Sequence, residues 1–118
     1  MHSLAQSHCQ ACQPGTPALP ASKRADLLEQ LPDWRLVERD GIMQLERLFR
    51  CADFRQALAF ANAVGAAAEA ENHHPALRIE WGRVCVTWWT HDVRGLHHND
   101  FIMAARTDAL AATCEGIQ

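Results

Sequence analysis

An alanine-rich segment in the middle of the chain, residues 53–72, is followed by two histidines and then by Pro75. Proline lacks an amide hydrogen and disfavours helical geometry at the residue before it, so a helix over this segment must end at the histidines. Asp53 and Gln56 resemble a capping box at its start. Apolar residues recur at helical spacing: Phe54, Leu58, Ala61, Val64 and Ala68. The sequence predicts one long helix whose apolar stripe faces a sheet.

A β-hairpin is predicted on each side of this helix. The first joins residues 34–37 to residues 42–49 through Asp40-Gly41, because glycine accepts the positive φ of a tight turn. The second joins residues 77–81 to residues 84–90, where β-branched and aromatic residues alternate. Four antiparallel strands are therefore expected.

Helices are also predicted at both ends of the chain, the first with Ser22 as its N-cap and the last after His97. The resulting α-β-β-α-β-β-α order indicates an α+β fold, a four-stranded antiparallel sheet with helices packed on one face. Residues 22–118 are expected to form a single domain after a flexible tail, residues 1–21, in which three prolines oppose regular structure. Large indoles are predicted to lie in the core: Trp34, Trp81 and Trp88.

Three histidines lie where predicted elements end. His73 and His74 end the long helix, and His91 follows the last strand. Histidine is the side chain that titrates unperturbed near neutral pH, and the C-terminus of a helix favours an imidazolium. Glu69 lies four residues before His73, on the same helical face, where it is placed to orient that ring. The sequence therefore predicts an acid/base site.

The spacing of these residues resembles that of a known family. Similar intervals occur in the pterin-4a-carbinolamine dehydratases at the positions of Glu69, His74-Pro75, Trp81, His91 and Asp100. The similarity extends over residues 31–108, and the runs 40–46 and 99–108 resemble the bacterial branch encoded alongside phenylalanine hydroxylase. Asn72 departs from the pattern, since many members carry an aspartate there, as does Leu77, where many have an aromatic residue.

The resemblance implies dehydration of 4a-hydroxytetrahydrobiopterin to quinonoid dihydropterin, and a functional link to phenylalanine (aromatic amino-acid) hydroxylase. This elimination needs an acid for the departing hydroxyl and a base for a proton of the pterin, with no metal or other cofactor. His73, His74 and His91 are predicted as the acid/base set, with Glu69 and Asp100 orienting them. The residues predicted to contact the pterin are Asn72, Trp89, Thr90 and Asp92.

Two other functions stay open at this stage. Some members of the family act as dimerisation cofactors of transcription factors, which would make this chain a binding module without catalysis. A metal-dependent hydrolase built on His73, His74 and His91 is the second alternative. His8-Cys9 and Cys12 resemble half of a zinc knuckle, but no second cysteine pair follows at suitable spacing, so they are assigned to the tail.

Composition argues against several classes of partner. A net charge of -3 without a basic tract disfavours direct nucleic-acid binding. No apolar run has the length of a membrane span, and no signal peptide is recognised, so a cytoplasmic protein is expected. The five cysteines suit free thiols in a reducing compartment. Exposed sheet edges are costly in so small a domain unless they are covered or paired. Relatives in the family associate, so the resemblance implies a homodimer or homotetramer.

Overall fold

The computed structural model describes residues 4–10 and 17–118. A short 3-10 turn, Leu4–Gln6, comes first, and the main elements then follow in chain order: α1 Ala21–Leu28, β1 Arg35–Arg39, β2 Ile42–Arg50, α2 Phe54–Glu71, β3 Ala76–Glu80, β4 Arg83–Trp88 and α3 His98–Thr113. The strands form one antiparallel sheet in the order β1-β2-β4-β3. The predicted α+β class and element order are confirmed.

The core lies between one face of the sheet and the helices α2 and α3. Alternate residues of β2 and β4 point to this face and are completely buried: Leu45, Phe49, Val84, Val86 and Trp88. From the helices, the buried partners include Phe60, Val64, Phe101 and Met103. Because β4 is an inner strand covered by both helices, its C-terminal end is held firmly where it leaves the sheet.

Helix α2 begins as predicted but buries a different stripe. The Asp53 side chain accepts a hydrogen bond from the backbone N–H of Gln56 at 2.8 Å. Phe54 and Leu58, however, are 43% and 39% exposed. The buried face runs through Ala57, Phe60, Ala61, Val64 and Ala68. The predicted stripe was therefore wrong over the first two turns, since the bulky Phe60 lies on the face that meets the sheet.

Two further local predictions need correction. Trp34 and Trp88 are buried as predicted, but Trp81 is 73% exposed because it lies at the β3–β4 turn, beyond the helices. Helix α1 starts at Ala21 with Pro20 as its N-cap, so Ser22 lies inside the helix. The predicted turn at Asp40-Gly41 is confirmed, and both residues have positive φ.

The other face of the sheet carries a buried carboxylate. Glu46 on β2 is only 4% exposed. It accepts hydrogen bonds from Arg35 at 3.1 Å and Thr87 at 2.8 Å, and Arg39 lies 2.8 Å from its second oxygen. Burial alone would raise the pKa of Glu46, but its hydrogen bonds outweigh that effect and lower the pKa to about 2. This cluster connects β1, β2 and β4.

The described part of the N-terminal segment, Leu4–Gln10, packs against the body of the protein. Leu4 is 8% exposed and belongs to the core, and Arg106 of α3 donates a hydrogen bond to the Ser7 carbonyl at 2.7 Å. Leu4 reaches the core because the 3-10 turn lies on α3. The predicted flexibility of residues 1–21 stays a prediction, and Cys12 lies outside the described residues.

Among residues 4–10 and 17–118, no helix has both the length and the apolar character that a membrane crossing requires. Cys51, Cys85 and Cys114 are free thiols.

Candidate active site

The side chains of the two histidines that follow helix α2 point in different directions. Asn72 is the C-cap residue and adopts the left-handed conformation with φ 50°, which asparagine tolerates better than most residues. The His73 N–H donates to the Ala68 carbonyl at 3.0 Å. As a result the His73 side chain turns inward and is 11% exposed, whereas that of His74 is 52% exposed.

His73 is held by a buried carboxylate and an indole. Its Nε2 lies 2.7 Å from Oδ1 of Asp100, which has no exposed surface. Its ring stacks on Trp88 with centroids 5.8 Å apart and planes 5° from parallel. An Nε2–H donated to Asp100 leaves Nδ1 as the ring nitrogen able to exchange a proton with a ligand. Carboxylate and indole together fix the orientation of this imidazole.

Asp100 connects the three elements that meet at the site. Besides His73 at the end of α2, it accepts a hydrogen bond from the Thr90 hydroxyl after β4 at 2.7 Å. It also accepts one from the backbone N–H of His97 at 2.9 Å. These contacts satisfy its oxygens from three directions, as a buried carboxylate requires.

His97 is the N-cap of α3, the capping role predicted for it. Its Nδ1 accepts from the Asn99 N–H at 3.1 Å, and with the return bond from His97 N–H to Asp100 this forms a capping box. Burial lowers the pKa of His97, although the charge of Asp100 opposes the shift. A neutral ring suits this role, because Nδ1 must keep its lone pair to accept the bond.

His74 is paired with Glu69 at the surface. Its Nε2 contacts Oε1 of Glu69, whose side chain is 77% exposed. The sequence had assigned Glu69 to His73 from the four-residue spacing, and this assignment was wrong. The left-handed turn at Asn72 interrupts the helical periodicity, so His74 comes over Glu69 while His73 turns toward Asp100.

The segment after β4 supplies the third histidine. Thr90 is 3% exposed and pairs with Gly95 through backbone hydrogen bonds that close the loop between them. His91 is exposed and lies against Trp89, with ring centroids 4.8 Å apart and planes tilted by 43°. Trp89 thereby positions His91 at the rim of the site.

A cavity of about 570 Å³ brings most of the predicted residues together. Its walls include the three histidines with Asn72, Thr90 and Asp92. The other three predicted residues do not line the cavity but contact its histidines. Trp89 packs against His91, Asp100 bonds to His73, and Glu69 pairs with His74. A second groove, of about 680 Å³ around Trp81, lies at the opposite end of the sheet, and the described residues that line it include no histidine, aspartate or glutamate. The chemistry therefore points to the smaller cavity.

Metal ligands are not grouped at this cavity. Within residues 4–10 and 17–118, no three histidine, cysteine or carboxylate side chains are arranged to hold a metal ion. The metal-hydrolase alternative thus finds no ligand cluster in the described part of the chain.

Comparison with known proteins identifies the family. The model of the family described as pterin 4 alpha carbinolamine dehydratase matches residues 17–110. The chain belongs to this family. The match spans all of the sheet, α2 and most of α3, and it includes every predicted site residue.

Solved structures of related proteins agree with this assignment. The transcriptional coactivator/pterin dehydratase from Brucella melitensis is 33% identical, with a TM-score of 0.73 over 80% of this chain and 98% of that one. A pterin dehydratase-like protein, described as a RuBisCO assembly factor in the alpha-carboxysome, is 26% identical, with a TM-score of 0.57 over 67% of this chain and 89% of that one. The pterin-dehydratase fold is thus shared by proteins described in different terms.

Among the described residues that line the cavity of this pterin-dehydratase family member, four were not predicted: Cys9, Gln10, Glu71 and Asn99. Glu71 and Asn99 lie next to predicted residues, at the helix ends that form the site. Their proximity in sequence was a signal that could have found them. Cys9 and Gln10 carried no such signal, because the segment containing them precedes the spaced motif.

Proposed function

We propose that this member of the family is a 4a-hydroxytetrahydropterin dehydratase, a hydro-lyase that releases water from a pterin carbinolamine. The observation that carries the proposal is the pairing of His73 with buried Asp100 in a cavity that His74 and His91 also line. The cavity therefore offers one imidazole fixed by a carboxylate and two exposed ones, and imidazole is the side chain most often used for general acid/base catalysis.

The reaction needs two proton transfers. One imidazolium donates a proton to the hydroxyl at C4a, the C–O bond breaks, and water departs. A neutral imidazole removes a proton from a nitrogen of the pterin ring, and the freed electron pair completes the quinonoid dihydropterin. A set of histidines supplies both groups. The two transfers leave the number of protons on the enzyme unchanged, and exchange of one proton with solvent at each ring then restores the acid and the base for the next turnover.

Asp100 is assigned to orientation and charge stabilisation. A buried carboxylate bonded to one ring nitrogen selects the tautomer and favours an imidazolium when the other nitrogen takes up a proton. His74 has an analogous but solvent-exposed partner in Glu69. Screening by water makes an exposed pair weaker, so Asp100 orients the His73 ring more strongly than Glu69 orients the His74 ring.

The polar edge of the pterin is assigned to the cavity mouth. Asn72 offers both a donor and an acceptor there, and Asp92 offers a carboxylate. Thr90 supports the site through its hydroxyl bond to Asp100. The indole of Trp89, against His91, presents an aromatic surface on which a flat heterocycle packs well.

In the cell, the quinonoid product would be reduced again for an aromatic amino-acid hydroxylase. We therefore propose that this protein is a functional partner of a phenylalanine hydroxylase. We also propose that it is cytoplasmic and forms a homodimer or homotetramer.

Turnover of a synthetic 4a-carbinolamine tests the proposal. Replacing His73, His74 or His91 by Ala is expected to lower kcat by on the order of 10²- to 10⁴-fold where that ring transfers a proton. Double replacements should lose less than the product of the single effects, because groups acting as one unit are not additive. His98→Ala is the matched control, since His98 is exposed and does not line the cavity. EDTA should leave the rate unchanged.

The proposal fails if all three single variants keep the wild-type rate, or if chelation abolishes turnover and zinc restores it.

A second function, as a regulatory binding module, is favoured by the Brucella relative described as a transcriptional coactivator/pterin dehydratase. In that case wild-type protein would show no turnover of the carbinolamine while binding a protein partner. Turnover therefore separates the two functions directly.

A further inference from the structure

The N-terminal segment Leu4–Gln10 precedes the family-matched residues 17–110, yet it helps to form the cavity. Cys9 and Gln10 line the cavity together with His73 and Asn72. The acid/base groups thus belong to the matched region, whereas part of one wall comes from a segment outside it. We call Ser7–Gln10 the strap.

Asn99 at the start of α3 holds one end of the strap. Its side-chain Oδ1 accepts from the Gln10 N–H at 2.9 Å, and its Nδ2 donates to the Gln10 carbonyl at 2.6 Å. Asn99 is 3% exposed, so these bonds are shielded from water. A reciprocal pair of this kind grips the main chain of Gln10 whatever side chain it carries.

Glu71 and Arg106 hold the middle of the strap. Glu71 Oε1 accepts from the Cys9 N–H at 2.8 Å, and this bond is the main cause of the lowered pKa of Glu71. Arg106 donates to the Ser7 carbonyl at 2.7 Å and lies 3.8 Å from Glu71. Hydrogen bonds to charged groups are stronger than neutral ones, so these contacts fix the strap beside the end of α2.

We propose that the strap is a substrate-binding wall of this site, which sets the affinity for the pterin and takes no part in proton transfer. This inference rests on the proposed dehydratase function. Its anchors bond to backbone groups of the strap, whereas the three histidines of the acid/base set contact Asp100, Glu69 and Trp89. Release of the strap should therefore weaken binding while the chemical step proceeds.

Arg106→Met tests this assignment, because Arg106 anchors the strap but does not line the cavity. We expect KM for the carbinolamine, and Kd for biopterin measured by tryptophan fluorescence, to rise by about 3- to 10-fold with kcat within about twofold, since uniform binding alone is lost. Arg55→Met, at an exposed arginine of α2, is the matched control and should change neither constant. Deletion of residues 1–10 should raise KM at least as much, with a lower melting temperature because Leu4 leaves the core.

Unchanged KM and Kd in Arg106→Met with wild-type circular dichroism would overturn the strap assignment. So would a fall in kcat at constant KM. Wild-type protein that neither turns over the carbinolamine nor binds biopterin would instead overturn the proposed function itself, so the two failures are distinguishable.

Discussion

Asp100 has no exposed surface, and polar groups from α2, from the segment after β4 and from its own helix start donate to it. This carboxylate therefore both stabilises the fold and orients His73. Sequence spacing placed Asp100 among the site residues. It did not show which histidine the carboxylate meets, because that pairing joins positions 27 apart through tertiary packing.

Asp100→Asn is expected to lower kcat by on the order of 10- to 100-fold, by analogy with carboxylates that orient metal-bound histidines. The amide is uncharged, so it no longer stabilises a positive charge on the His73 ring. Glu69→Gln is the comparison, since that carboxylate is exposed and its pair with His74 is screened. A larger loss in Glu69→Gln than in Asp100→Asn would reverse the ranking of the two carboxylates.

At the scale of the elements, local patterns were sufficient for the strands, for the start of α2 and for the Asp40-Gly41 turn. These features depend on neighbours within a few residues. Patterns failed where a tertiary contact decides the outcome. Phe54 and Leu58 fit the helical period but lie off the buried face, and the left-handed cap at Asn72 places Glu69 beside His74 and not beside His73 as predicted. The position of the strap was not predicted for the same reason, because it depends on contacts with Glu71 and Asn99, which are far away in sequence.

Glu46 predicts how the sheet responds to acid. Because its pKa is about 2 in the fold and near 4.5 in the unfolded chain, its contribution to stability is present above pH 4.5 and is lost as pH falls toward 2. Glu46→Gln should lower the free energy of unfolding at pH 7 by about 2 to 3 kcal/mol. The difference from wild type should shrink below pH 4.5. Denaturant unfolding at several pH values measures it.

Glu38→Gln is the control, because Glu38 is an exposed carboxylate on β1. A constant difference between wild type and Glu46→Gln from pH 7 to pH 2.5 would contradict the argument.

For the whole molecule, the sheet order leaves β1 and β3 as edges, and α2 exposes Phe54 and Leu58 one turn apart. Unpaired edges and exposed apolar side chains both favour association. The secondary structure and the candidate site are formed by contacts within one chain. The oligomeric state depends instead on how these edges and apolar side chains meet a second copy.

Sedimentation at micromolar concentration is expected to show a homodimer or homotetramer. Replacing both Phe54 and Leu58 by Asp should shift the distribution toward smaller species, with the circular dichroism of the fold retained because neither side chain is buried. Wild-type protein that sediments only as a monomer would refute the expectation.

The left-handed backbone at Asn72 also limits how this position can vary. Asparagine and aspartate are the side chains, besides glycine, that adopt this conformation at little cost. Exchange between the two residues leaves the main chain unchanged and alters the charge at the mouth of the cavity by one unit. Asn72→Asp would therefore change the electrostatic field at the cavity mouth without rebuilding the end of the helix.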